Sequence, residues 1–381
     1  MSRQPARLAI FMAFSGDGGV EHMMCNLMQG MVELGVDVDL IRIKASGGHV
    51  ARIPPEVRVI DLNRATSLLA LPALVRYLRR ERPGALLAAK DRAGRVAVLA
   101  RRLAGVDTRV GIRLGQTLSA SMQPRSRLKR ATRYLPVRWL FPMADELITV
   151  SDGVAEDMAM VSGLPRSRFR TIANPTITER MRRIAAEPVA EPWLRERTAP
   201  VLVAAGRLTR QKDFPTLLRA FAELTERRDA RLIILGEGRG RAHLESMIGR
   251  LGLGERVKLK GFVDNPYPYM TAADLFVLSS RWEGSPNVLV EALALGTPVV
   301  STDCPSGPRE ILGPALQRAL VPVGDPAAMA RAMAAALDDP PRVDELRGCV
   351  GRFTVEGSAR GYLEALGIAL PEPARASDSA R

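Results

Sequence analysis

Two stretches of this 381-residue sequence combine residue types that can hold an anion. The first, Gly206-Arg207-Leu208-Thr209-Arg210-Gln211-Lys212-Asp213, follows the apolar run 201–205. Here the guanidinium of Arg207 can grip two phosphate oxygens at once, and the ammonium of Lys212 adds a point charge. The second runs from Ser279 to Glu291 behind the apolar run 275–278. Its order, Glu283-Gly284-Ser285-Pro286-Asn287-Val288, places Ser285 as the cap and Pro286 at the first position of a helix. The amides of Asn287 and Val288 then face outward as an anion site. Glu283 lies in the turn, and Glu291, on the second helical turn, is in reach of hydroxyl groups beside that anion. A lone basic loop is usually solvated surface, and a capped helix with two acids needs no ligand. Both in one domain read as a phosphate clamp.

Other candidates carry less. The glycine turns Gly16-Asp17-Gly18-Gly19 and Gly236-Glu237-Gly238-Arg239-Gly240 follow apolar runs, but neither completes a dinucleotide fingerprint, and no P-loop pattern occurs. Asp37-Val38-Asp39 has the form of a divalent-ion motif, yet it falls in a strand over 36–43, where alternation puts both carboxylates on one face. His22, His49 and His243 stand without ligand spacing, and no Ser/His/Asp constellation is readable, so no metal or other cofactor is expected. Cys25, Cys304 and Cys349 form no CxxC pair, which suits a reducing compartment.

The elements that must position these residues alternate almost end to end. Strands are expected over 8–13, 36–43, 57–60, 85–89, 109–113, 146–150 and 169–172, then over 201–205, 231–235, 257–260, 275–278 and 298–301. Helical periodicity marks 20–32, 71–78, 93–103, 216–225, 241–251, 287–295, 327–337 and 358–366, and the methionines of the first are core positions. Between them, residues 174–200 carry four prolines and no sustained strand pattern, which suits an interdomain connection. The fold class is therefore α/β, two doubly wound Rossmann-like domains facing a central cleft. Arg3 and Arg7 before the run 8–14 imitate a signal peptide, but the run is short and leads into a glycine turn; no stretch approaches the roughly 20 apolar residues that span a bilayer.

At the clamp residues the sequence resembles a family 4 glycosyltransferase of the GT-B fold, the retaining group that builds bacterial surface polysaccharides. Gly206-Arg207-Leu208 through Lys212 matches the family's GRL…K element, Glu283 through Glu291 its Glu-x7-Glu element, and Gly18-Gly19 its N-terminal glycine loop. The resemblance implies a donor half that binds a nucleotide-sugar. Arg207 and Lys212 would hold the diphosphate, the amides of Asn287 and Val288 the distal phosphate, Glu291 the ribose and Glu283 the transferred sugar. Gly206, Gly284, Ser285 and Pro286 complete that pocket, and the base would lie near Glu237, Phe262 and Val263. It also implies an acceptor domain over 1–173, a connection over 174–199, a donor domain over 200–357, a helix over 358–370 crossing back, and a disordered tail over 371–381. Many relatives carry a histidine after the strand at 109–113; here Arg113-Leu114-Gly115-Gln116 stands in its place, leaving Arg113 or Gln116 as substitutes. The stretch from Ser301 to Glu310 resembles members acting in lipopolysaccharide, O-antigen and capsule assembly, which favours UDP-sugar donors and a lipid-linked or glycan acceptor. A GT-B epimerase or phosphorylase is the alternative enzyme.

Of the formal charge of +14, residues 51–150 contribute 20 basic against 7 acidic side chains, so the remaining residues together are nearly neutral. Within this region Arg125, Arg127, Lys129, Arg130 and Arg133 run up to Trp139, interleaved with Leu128, Tyr134 and Leu135. Such a segment suits the anionic inner leaflet of the cytoplasmic membrane and a cytoplasmic, peripherally bound protein. The alternatives are a solvated arginine-rich face and a nucleic-acid site; the latter lacks a helix-turn-helix, an RNP or a zinc pattern, so no nucleic acid is expected.

Overall fold

The computed structural model describes residues 7–15, 18–46, 51–123 and 125–370. Gly16 and Asp17 of the glycine turn, His49 and the tail 371–381 lie outside the described residues.

The first sheet is formed by β1 (Leu8–Ser15), β2 (Val38–Ser46), β3 (Arg58–Asp61), β4 (Ala85–Ala89), β5 (Arg109–Leu114), β6 (Glu146–Thr149) and β7 (Phe169–Thr171). They lie in the order β3-β2-β1-β4-β5-β6-β7, every pair parallel. The second contains β8 (Val201–Ala205), β9 (Arg231–Leu235), β10 (Val257–Gly261), β11 (Leu275–Leu278), β12 (Val299–Thr302) and β13 (Leu320–Val321), in the order β10-β9-β8-β11-β12-β13 and again parallel. The two-residue β13 has no counterpart in the sequence pattern, being too short to show a period.

Each sheet is covered on both faces, which is why its strands read as continuous apolar runs. In β1, Ala9 and Phe11 enter one core, while Leu8, Ile10, Met12 and Phe14 enter another with Met23, Met24, Met28 and Met31 of the helix Gly19–Glu33. Residues 174–200 contain the short helices Glu179–Ala185 and Pro192–Glu196, whose Met181, Ala185 and Leu194 are buried in the core of the second sheet.

The helix Val355–Ala365 follows the second domain in sequence but packs on the first. It and the residues just after it bury Ala359, Tyr362, Leu363 and Leu366 there, each large apolar side chain contributing roughly 1.5–3 kcal/mol. Gly111 of β5 leaves the space for Leu366, since a Cβ there would stand 2.5 Å from its Cδ2.

The two acids of the Asp37-Val38-Asp39 stretch sit in different settings. β2 begins at Val38, so Asp37 precedes it and is exposed, while Asp39 is buried beneath Arg58 and accepts a 2.6 Å bond from the Tyr77 hydroxyl.

Candidate active site

In both sheets the strand order reverses beside the first strand, between β1 and β4 and between β8 and β11. Connections leave such a point in opposite directions and open a crevice at the carboxyl ends of the strands. Arg207, Lys212, Glu283 and the start of the helix Asn287–Leu295 all follow β8 or β11, at the crevice of the second sheet.

The β8 loop turns at once because Gly206 has φ 155°, and its amide bonds the Leu235 carbonyl at 2.9 Å. Arg207 then stands exposed, with no ion pair among the described residues. Lys212 is turned inward: its Nζ donates to Glu283 Oε1 at 2.6 Å. Ser280 Oγ donates to the same oxygen at 2.6 Å, and Gln211 Nε2 approaches the other at 3.5 Å. Glu283, only 7% exposed, is thus held from three sides. Arg281 pairs with Asp213 at 3.0 Å and fixes the end of the loop.

The helix after β11 departs from its expected cap. It begins at Asn287 with Pro286 as the capping residue, and Ser285 accepts no bond from it. The anion site survives this change. The amides of Leu289 and Val290 both point to the Pro286 carbonyl, which leaves those of Asn287 and Val288 without a partner among the described residues. Glu291 is buried beneath them; burial pushes its carboxyl up to about 7, against a 3.5 Å bond from the Tyr267 hydroxyl and the charge of Lys212, which lower it. Glu237 and Phe262 are exposed at the ends of β9 and β10, with Val263 half-buried beside them, and Glu237 is steadied by Arg241 at 2.7 Å.

Across the cleft the first domain touches this site directly. Gly284 packs against the Gly115 carbonyl so closely that a Cβ would lie 2.1 Å from it, a position only glycine can fill. Thr117 donates to the Glu283 carbonyl at 3.2 Å, and the hydroxyls of Ser151 and Ser306 reach the Gly284 carbonyl at 2.7 and 2.8 Å. Glu310 caps the helix Asp152–Ser162 from the other domain, accepting from the amides of Asp152 and Gly153 at 2.7 and 2.9 Å. Gly19 lies against Asn287, a Cβ there standing 3.9 Å from its Nδ2.

Arg113 does not line the open cleft. It is 2% exposed beneath Gly115, donating from Nη2 to Asn174 Oδ1 at 2.8 Å. Asn174 in turn donates to Asn287 Oδ1 at 2.8 Å, so the link from Arg113 to the helix Asn287–Leu295 runs through a residue that no sequence motif marked. The Asn174-Pro175 turn was its only signal. Gln116 is exposed on the turn itself.

The basic stretch lies apart from the cleft, on the helix Arg127–Leu140, and divides in two. Arg133 turns inward to Asp91 at 2.7 Å, and Arg130 folds onto the carbonyls of Met122, Gln123 and Arg125. Arg125, Arg127 and Lys129 stay exposed, beside Leu128 at 74% and Trp139 at 73% exposure. Among the described residues no helix is long and apolar enough to cross a membrane.

A glycosyl transferase 4-like domain model matches residues 18–175, and the model of glycosyl transferases group 1 matches residues 188–348. Over 90% of its length the chain is 30% identical to N-acetylgalactosamine-N,N'-diacetylbacillosaminyl-diphospho-undecaprenol 4-alpha-N-acetylgalactosaminyltransferase of Campylobacter jejuni, covering 92% of that protein. The chain belongs to the family 4 glycosyltransferases of the GT-B fold. This glycosyltransferase is also 29% identical to the lipopolysaccharide core biosynthesis glycosyltransferase LpsE of Rhizobium meliloti, over 93% of its own length and 97% of that protein. Its fold matches that of HepE from Anabaena, solved with UDP, at a TM-score of 0.75 and 20% identity, covering 95% of this chain and 99% of the other.

Proposed function

We propose that this glycosyltransferase moves a hexose or N-acetylhexosamine, with retention, from a UDP-sugar to a lipid-linked or lipopolysaccharide-type glycan. The observation that carries the reading is the constellation at the β8–β11 crevice: the Lys212–Glu283 pair, the exposed Arg207, and the unpartnered amides of Asn287 and Val288 above the buried Glu291. Arg207 and the two amides take the diphosphate, Glu291 the ribose hydroxyls, and Glu283 the hydroxyls of the transferred sugar. The base lies between Glu237 and the Phe262–Val263 strand end.

In the transfer, the bond from the anomeric carbon to the phosphate oxygen breaks and an acceptor oxygen bonds to that carbon from the same face. The acceptor proton passes to the departing phosphate. Charge grows on the diphosphate as the sugar becomes oxocarbenium-like, and fixed donors aimed at that charge are the main source of acceleration. Arg207, Lys212 and the helix amides supply them, so the reaction needs no metal or other cofactor.

The names of the relatives support the acceptor class: the Campylobacter enzyme is named for a diphospho-undecaprenol substrate and LpsE for lipopolysaccharide core biosynthesis. The exposed Leu128, Leu135 and Trp139, flanked by Arg127 and Lys129, form a face that rests on the anionic inner leaflet and brings the acceptor domain to a lipid-borne glycan.

The test is thermal. UDP at about a hundred times its dissociation constant adds about 2.7 kcal/mol to the folded state and raises the melting temperature. Lys212→Ala and Glu291→Ala lose that rise. No rise with any nucleoside diphosphate defeats the proposal.

A further inference from the structure

A chain of polar side chains runs between the two domains, and its direction is fixed at one end. Arg113, near the end of β5, is 2% exposed and makes no ion pair among the described residues. A buried cation without a carboxylate beside it is costly, so packing alone does not account for it. Its Nη2 donates to Asn174 Oδ1 at 2.8 Å, Asn174 Nδ2 donates to Asn287 Oδ1 at 2.8 Å, and the Thr176 hydroxyl donates to that same oxygen at 3.3 Å. The chain thus passes from β5, through the connection after β7, to the first residue of the helix Asn287–Leu295.

A carboxamide can turn over and exchange its oxygen for its nitrogen, so a bond between two of them has no direction of its own. A guanidinium carries donors only. The atom of Asn174 that meets Arg113 is therefore the oxygen, and the one it turns to Asn287 is the nitrogen. Asn287 must then present its oxygen to Asn174. The cation orders the whole relay, and with Arg113 and Asn174 both buried each bond polarises the next. What remains is Asn287 Nδ2, which has no hydrogen bond among the described residues and belongs to a half-buried side chain. Gly19, at the start of the first-domain helix Gly19–Glu33, lies across from it, a Cβ there standing 3.9 Å away. The nitrogen thus opens on the gap between the domains, on the same helical turn as the unpartnered amides of Asn287 and Val288.

The turn that carries Asn174 is itself pinned. Asn26 of the helix Gly19–Glu33 donates to the Pro175 carbonyl at 2.8 Å, and Ser358 Oγ donates to the Ala173 carbonyl at 2.8 Å. The amides of Thr176 and Ile177 reach the Phe353 carbonyl at 3.1 and 3.0 Å. The relay therefore passes through the point at which the two domains are joined.

We infer that Arg113 and Asn174 are positioning residues for sugar transfer: they set the Asn287 carboxamide so that its Nδ2 faces the departing diphosphate as one more fixed donor. The inference deepens the donor reading above and rests on it. No proton moves along the relay. It holds an orientation that is in place before the ligand arrives, the condition under which a donor accelerates a reaction that builds up charge. The charge of Arg113 reaches the site as the direction of two carboxamides, which is why the residue acts without lining the cleft.

The experiment compares UDP and UMP binding to the full chain by calorimetry, with thermal melts alongside. Asn287→Asp keeps an oxygen for Asn174 and Thr176 but turns a second oxygen to the cleft. UDP then binds about tenfold more weakly, the loss of one charge-assisted contact, while UMP, which lacks the distal phosphate, stays within about threefold of the parent. Asn174→Asp gives Arg113 a carboxylate, so the melting temperature does not fall, yet it offers Asn287 no N–H and the Asn287 carboxamide turns over. UDP again weakens about tenfold and UMP does not. Arg113→Lys, which still donates to Asn174, keeps UDP affinity within about threefold, and Arg113→Met, which frees the relay to turn over, does not. Where a variant at 113 or 174 fails to fold, Asn287→Asp at the open end of the relay decides. UDP bound by the variants as by the parent overturns the relay, and so does an equal loss of UDP and UMP, because these residues would then hold only the fold. A parent chain that binds no nucleoside diphosphate defeats the donor reading itself, and the relay with it.

Discussion

At the β8–β11 crevice two cations are matched by buried acids, Lys212 by Glu283 and Arg281 by Asp213, while Arg207 stands exposed without an ion pair among the described residues and burial raises the Glu291 carboxyl to about 7. Beside β4 three cations share two acids, Lys90 pairing with Glu21 and Arg95 and Arg133 with Asp91, and Lys90 is exposed. The two sheets have the same strand order, so topology supplies a crevice to each and says nothing of what enters it. Matched pairs suit a site whose ligand brings its own hydroxyls and whose chemistry is a brief surge of charge. The formal charge of +14, concentrated in residues 51–150, is in these terms a property of the first domain.

The largest effect that can break this division is on the donor side. Lys212→Ala removes the cation between Glu283 and the departing diphosphate, and kcat falls about 100- to 1,000-fold in a sugar-transfer assay. A fall of less than tenfold, or one that is all in the acceptor KM, would erase the distinction between the crevices. Next in size is the outward face of the basic helix. Leu128→Asp combined with Trp139→Asp lowers partition onto anionic vesicles about 30-fold or more, while kcat on a water-soluble acceptor is unchanged. A matching loss in kcat would show that this helix is part of the donor machinery.

The pH dependence sharpens the comparison further. Burial pushes Glu291 up to about 7, and ribose hydroxyls donate to its ionised form, so UDP affinity rises about tenfold between pH 6 and pH 8. Glu291→Gln flattens that profile. In the ligand-free protein the sign reverses. The folded carboxyl keeps its proton up to about 7, where the unfolded one has lost it above 4.5, so this group's contribution to stability declines as pH rises from 4.5 to 7. Thermal melts across that range check it. The smallest effect concerns the contact between the domains: Glu310→Ala removes the cap on Asp152 and Gly153, about 1 kcal/mol, and raises the donor KM about fivefold with kcat retained. Small-angle scattering of the same variant shows a more open molecule.

Most of the fold was legible because a strand buried on both faces must be apolar throughout, and a helix lying on it must be apolar every third or fourth residue. The runs at β1, β4, β8 and β11 carry that signal with little ambiguity. β13 is too short to carry it, and the helices of 179–185 and 192–196 were obscured by the prolines around them. The residues of the β8–β11 crevice were legible for a different reason: Arg207, Lys212, Glu283 and Glu291 sit in two short segments, each directly after a strand, and local spacing was enough to set them on one crevice.

The chain order and periodicity by themselves determined two doubly wound domains and the segments that meet at the β8–β11 crevice, since both follow from interactions between near neighbours. The tertiary structure alone decided which side chains meet. That Lys212 turns to Glu283, that Arg113 is shut beneath Gly115 and reaches the helix Asn287–Leu295 through Asn174, and that Arg133 faces Asp91 while Trp139 faces outward depend on residues tens of positions or more apart. Glu21, Lys90 and Glu310 belong to the same class. No local pattern distinguishes a lysine beside a strand from one held against a carboxylate 69 residues away, because that pairing is set by the packing of whole elements.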